Sequence, residues 1–196
     1  MPAPFHRFLS DVWIWLLISG VILLLGYLIF QFISIYNLFI IDLNTAEAFY
    51  GQIRIAMKKR FDLIEQLLFV VKGYSGFERD TMISISALRS GVRTTSPEGI
   101  DDIDIKSQLV LRKIIGVIEN YPYLKTYSIV NILTNSIQNI EHEVANHRYE
   151  YNKIIKIYNT KVDTIPTNFI ALLVGFKKMG YLEFNNDILN PPRIKF

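Results

Sequence analysis

Residues 12–33 read VWIWLLISGVILLLGYLIFQFI, and they decide where this chain folds. The uncharged run extends from Val12 to Ile41, between Asp11 and Asp42, and Ser19 and Gln31 are the polar side chains of its heart. A bilayer core about 30 Å thick is crossed by roughly 20 such residues in a helix. Lipid offers no partner for backbone N–H and C=O groups, so a crossing segment must pair them internally. Residues 12–36 are therefore expected to form a single transmembrane helix behind a short tail, residues 1–11. Trp13 and Trp15 at one end and Tyr36 at the other put amphipathic rings where a membrane anchor meets the interface. The run is longer than the roughly 7–15 apolar residues of a cleavable signal, and no A-x-A site follows it.

Orientation is coded by the flanks. Arg7 and the amino terminus precede the span, whereas Asp42 and Glu47 follow it before the cations Arg54, Lys58, Lys59 and Arg60. Positive charge is retained in the cytoplasm. The expectation is a single-pass cell-membrane protein with its main domain outside the cytoplasm.

About 155 residues remain after the uncharged run, enough for one domain. The net charge of +3 is mild and evenly spread, which argues against a nucleic-acid partner. The absence of cysteine removes disulfides, thiol catalysis, cysteine–metal sites and a cysteine-linked lipid anchor.

The domain reads as helices. Leu43, Ala46, Tyr50, Ile53, Met57, Arg60, Ile64, Leu67 and Val71 follow one another in steps of three and four, the period of a coiled-coil seam. No proline intervenes between Pro4 and Pro97, so the anchor is expected to run on as one helix toward Lys72, with a turn at Gly73 and Gly76. A shorter helix is expected over 78–92, a loop over 93–104 and a third helix over 105–120, broken at Tyr121-Pro122. A long fourth helix carries the seam Leu133, Ile137, Ile140, Val144, His147, Tyr151, Ile154, Tyr158, Val162 and Ile165, and ends at Pro166. The reading is an all-α chain: one N-terminal transmembrane helix, then an antiparallel four-helix up-and-down bundle over 37–166, then an apolar and basic segment with a tail over 167–196.

Two patterns mimic metal sites. Asp101, Asp102 and Asp104 could hold a divalent cation, but acids ahead of a helix also stabilise its positive end, and the glycine and distal glutamate of a calcium loop are missing. His142-Glu143-Val144-Ala145-Asn146-His147 resembles HExxH with one residue too many, so the two imidazoles point about 140° apart around a helix. His147, on the seam, is read as a core histidine. No P-loop, G-x-S-x-G or Gly-rich dinucleotide turn is present. No catalytic, cofactor or metal residue is assigned.

The remaining polar residues are read as structure. Arg60 lies on the first seam, where an unpaired charge is costly. It is 13 residues below Gly73, and a similar distance down from about Tyr127 reaches Glu141, so an Arg60–Glu141 pair is expected, with Glu78 as the alternative carboxylate. A snorkelling Arg60 is the competing reading. Arg148, Asn152 and Asn159 share a helix stripe near Tyr151, which suggests either an interhelix hydrogen-bond ladder or a partner surface. Phe169, Leu172 and Phe176, followed by Lys177 and Lys178, suit either an interfacial segment at the membrane or ordinary core.

Several of these residues together resemble the LemA family. Arg60-Phe61-Asp62-Leu63-Ile64, then Val71-Lys72-Gly73-Tyr74 and Glu78, are similar to its RxDLIPNLV…VKGYxxxE block. Glu119-Asn120-Tyr121-Pro122-Tyr123-Leu124-Lys125 is similar to its EaYPdLK turn, and Tyr36-Asn37 to the YN after its anchor. Glu141, Arg148, Tyr151-Asn152, Tyr158-Asn159, Pro166, Asn168 and Ala171 continue the pattern in order. Glu65-Gln66 replaces the usual PN, Phe49 the usual tryptophan, and Arg54 the usual acid. The resemblance implies a membrane-anchored helical scaffold or interaction protein, with the bilayer and another membrane protein or complex as partners. The alternative is a membrane-bound enzyme or a protease accessory factor.

Overall fold

The computed structural model describes residues 3–73 and 79–183, with side chains over 12–73 and 81–183. Among the described residues six helices follow in order: α1 (Ala3–Val71), α2 (Arg79–Thr94), α3 (Pro97–Asn120), α4 (Pro122–Thr126), α5 (Ser128–Asp163) and α6 (Thr167–Val174). Among the described residues there is no strand.

Helix α1 unites the uncharged run and the first seam in 69 residues, about 100 Å at 1.5 Å per residue. Its two halves have different surroundings. From Val12 to Ile33 every side chain is exposed, as a lipid-facing helix requires. From Phe39 upward one stripe is covered, with Ile53, Ala56, Met57 and Leu67 at 0 % exposure.

The bundle forms around this stripe. Helix α2 descends along α1: Arg89 meets Asp62 at 2.8 Å, and the Tyr50 hydroxyl donates to the Thr95 carbonyl at 2.8 Å just past the end of α2. Helix α3 returns upward, burying Ile100, Ile114 and Ile118, and the short α4 buries Leu124. Helix α5 then descends in antiparallel register with α1. Lys59 meets Glu143 at 3.3 Å, the Tyr50 and Tyr151 rings lie 6.2 Å apart, and Lys161 meets Asp42 at 2.8 Å.

Three expectations are corrected. The loop over 93–104 is only Thr95–Ser96 wide, because Ser96-Pro97-Glu98 starts a helix: proline at the first position loses no hydrogen bond, and the acid complements the positive end. Asp104 therefore sits two turns inside α3 and is no helix-end acid. Helix α5 ends at Asp163, so Ile165 leaves the seam and is 76 % exposed. His147 is half-buried rather than core, with Nε2 3.8 Å from the Glu143 carboxylate, and His142 is exposed.

Candidate functional site

At mid-height of the bundle three helices contribute charged side chains to one dry cluster. Arg60 of α1 and Arg148 of α5 are 2 % and 4 % exposed, and Asp104 and Ser107 of α3 are 5 % and 0 %. Asp104 bridges the two cations. One of its oxygens accepts from Arg60 Nη2, which also reaches Ser107 Oγ, and the other lies 3.0 Å from Arg148 Nη2. Arg148 Nη1 lies 2.7 Å from Asp101 Oδ1. Two guanidinium groups thus face two carboxylates, and the cluster is neutral without help from solvent. Buried charges survive only when paired and hydrogen-bonded in this way.

Arg60 is paired, but with Asp104 and Ser107 rather than Glu141. The register that placed Glu141 beside Arg60 is correct in level, and Arg60 acts on that carboxyl. Burial dominates, however, and holds the Glu141 carboxyl above its ordinary value despite the lowering effect of Arg60. Asp104 reaches the arginine because α3 presents it directly to the seam. Glu78, the alternative, lies outside the described residues. The neighbouring Tyr50 hydroxyl is pushed up to about 12 by burial, so it stays protonated as the donor to Thr95.

Below the cluster, Asn152 and Asn159 bond to an extended segment rather than to another helix. They hold the chain's own tail. After α6, Gly175 adopts φ +85°, a left-handed conformation that glycine takes without strain, and the chain turns back upward. Asn159 Nδ2 donates to the Met179 carbonyl and its Oδ1 accepts from Met179 N–H, both at 2.9 Å. Asn152 makes the same two bonds with Leu182, both at 2.8 Å. Glu183 is held through its carbonyl by Arg148 and through its N–H by Asp101 at 3.1 Å. The spacing has a simple origin. Seven residues of helix rise about 10.5 Å, and three residues of extended chain cover about 10 Å. Leu182, 3 % exposed, enters the core between these clamps.

The lower end of the bundle is aromatic. Phe176 lies 4.8 Å from Phe39, 6.0 Å from Tyr36 and 6.4 Å from Tyr158 between ring centroids. Ile170 and Ala171 of α6 are buried here, whereas Phe169, Leu172, Lys177 and Lys178 face outward, Lys178 meeting Asp163 at 2.8 Å. Trp13 and Trp15 are 67 % and 70 % exposed at the far end of the span.

An open concavity lies elsewhere, a groove of about 730 Å³ between α1 and α2 that carries Arg54, Lys58, Arg89 and Arg93. Arg89 is paired with Asp62 and Glu65, and Arg54 lies 5.1 Å over the Tyr50 ring. Lys58 and Arg93 have no ion-pair partner among the described residues. No group of three His, Asp or Glu side chains among those residues is placed to hold a metal.

Sequence reasoning missed Ser107 and read Asp104 as a helix-end acid rather than as the partner of the arginines. The signal of Asp104 and Ser107 was present: they interrupt the apolar stripe Ile100, Ile103, Leu111, Ile114 and Ile118 with polar groups three residues apart.

The LemA family model matches residues 49–196, which span the whole cluster and the tail clamp. Protein LemA of Metamycoplasma hominis is 27% identical over 154 residues, 76% of this chain and 69% of that protein. Magnetosome protein MamQ 1 of Paramagnetospirillum magneticum is 27% identical over 73 residues, and magnetosome protein MamQ of Magnetospirillum gryphiswaldense 25% over 73 residues. The chain spans only 27% of the length of each of these magnetosome proteins. This chain, a helical bundle continuous with a long apolar helix, belongs to the LemA family.

Proposed function

We propose that this membrane-associated protein is a single-pass scaffold that presents its bundle, outside the cytoplasm, to another membrane protein or complex, and has no catalysis of its own. The observation that carries this reading is the distribution of charge. The interior groups that a reaction would recruit, Asp101, Asp104, Arg60 and Arg148, are committed to one another and to the tail. Lys58 and Arg93, which have no ion-pair partner among the described residues, line an open groove suited to an acidic surface on a partner. Matched charge across such a contact directs encounter and selects the partner.

The test is charge reversal in the groove. Native membranes are solubilised in mild detergent, and the mass of the complex around the full chain is measured for wild type, for Lys58→Glu with Arg93→Glu, and for Lys113→Glu, an exposed position on α3. Wild type and the α3 variant should retain a partner that the groove variant loses at unchanged helix content. A wild-type chain that migrates alone, or a groove variant that keeps its partner, overturns the reading.

A further inference from the structure

We propose that α6 is a second membrane contact: it lies in the interface of the bilayer that holds the anchor, with Phe169, Leu172 and Leu173 dipping toward the acyl chains. The proposal rests on residues 12–36 being inserted, and adds to it a contact that sets the tilt of the bundle.

Helix α6 is apolar on both faces, and the bundle covers only one. Ile170 and Ala171 are 9 % and 2 % exposed, whereas Phe169, Leu172 and Leu173 are 60 %, 81 % and 77 % exposed, with Ile165 at 76 % in the turn before them. A contiguous patch of large apolar side chains on this scale marks a contact surface.

The occupant follows from the height of the patch. Ala171 packs with Phe39 and Tyr158, Ile35 packs against the same cluster, and Phe176 stacks on Tyr36. With Val12–Ile33 as the hydrocarbon span, Ile35 and Tyr36 lie about 3–5 Å above its edge and Phe39 about 9 Å, at 1.5 Å per residue. That is the depth at which amphipathic segments rest. Helix α6 is also the bottom of a U-turn: α5 descends to it from Lys161 beside Asp42, and the tail climbs away from it to Asn159. Lys177 and Lys178 follow the apolar face directly, at the level of anionic head groups.

The experiment uses the full chain, which contains no cysteine, so single cysteines can carry a nitroxide without background. Leu172→Cys reports on α6, Leu24→Cys on the anchor, and Ile132→Cys on an exposed bundle position; all three side chains are more than half exposed, so the changes leave the core intact. The protein is reconstituted in phosphatidylcholine–phosphatidylglycerol vesicles. Collision with oxygen, which concentrates in lipid, is compared with collision with a water-soluble nickel chelate. The oxygen-to-nickel ratio at residue 172 should be several-fold above that at 132 and below that at 24. A ratio at 172 equal to that at 132, with 24 still in lipid, overturns the α6 contact alone. Shielding of 172 from both reagents means that protein covers the patch and also overturns it. A label at 24 that is open to nickel overturns the anchor as well.

Discussion

Removing the charge of Asp104 is the most informative perturbation. Asp104→Asn keeps the side-chain shape but leaves Arg60 and Arg148, 2 % and 4 % exposed, with Asp101 as the one remaining carboxylate of the cluster. One buried positive charge is then uncompensated. Breaking a buried pair by removing one partner costs about 3–5 kcal/mol. For a chain of this size 1 kcal/mol corresponds to about 2–4 °C in Tm, so the expected fall is about 6–20 °C. Arg60→Met should cost less, because Asp104 keeps Arg148 at 3.0 Å. Glu141 supplies a second test. In the wild type its ionised form is disfavoured by burial and by Asp104, so Glu141→Gln should stabilise at neutral pH. Once Asp104 is neutral, its raising effect on Glu141 is gone while the lowering effect of Arg60 remains, so the same substitution should stabilise less. The assay is thermal unfolding of the full chain in detergent, followed by circular dichroism at the helix band, for the two single variants and the double. An Asp104→Asn variant that melts with the wild type, or a Glu141→Gln stabilisation as large in the Asp104→Asn background as in the wild type, refutes the charge-balance argument.

Three further outcomes are expected. Because the Glu141 carboxyl is held above its ordinary value of 4.5, the folded state binds the proton more tightly than the unfolded state; wild-type stability relative to Glu141→Gln should therefore be greatest below pH 4.5 and decline as pH rises above it, as read by Tm across pH. Asn159→Ala removes two hydrogen bonds to Met179 and should cost about 1–3 kcal/mol; hydrogen exchange at Met179 N–H should accelerate, whereas Asn159→Asp, which retains the acceptor, should fall between, and unchanged exchange in the alanine variant would count against the clamp. The full chain should stay with membranes through alkaline carbonate extraction, and its release intact into the soluble fraction would exclude an inserted anchor.

Local features were legible because each is written in consecutive residues. The exposed Val12–Ile33 surface, the single helix through Val71, and the buried positions Ile53, Met57, Ile64 and Leu67 follow from an uncharged run and a three–four period. The level of Glu141 opposite Arg60 also followed, since two antiparallel helices share one rise per residue. The start of α3 was hidden by composition, because Ser96-Pro97-Glu98-Gly99 serves a loop as readily as a helix start. Only the tertiary structure decided the partners. Arg60 takes Asp104 because α3 delivers that carboxylate to the seam, a fact about which helix fills which groove. Asn152 and Asn159 take Leu182 and Met179 because a segment without periodicity climbs back along α5. Periodicity names the face a side chain occupies. What stands opposite that face depends on loop closures between residues far apart in the chain, and these carry no local signal.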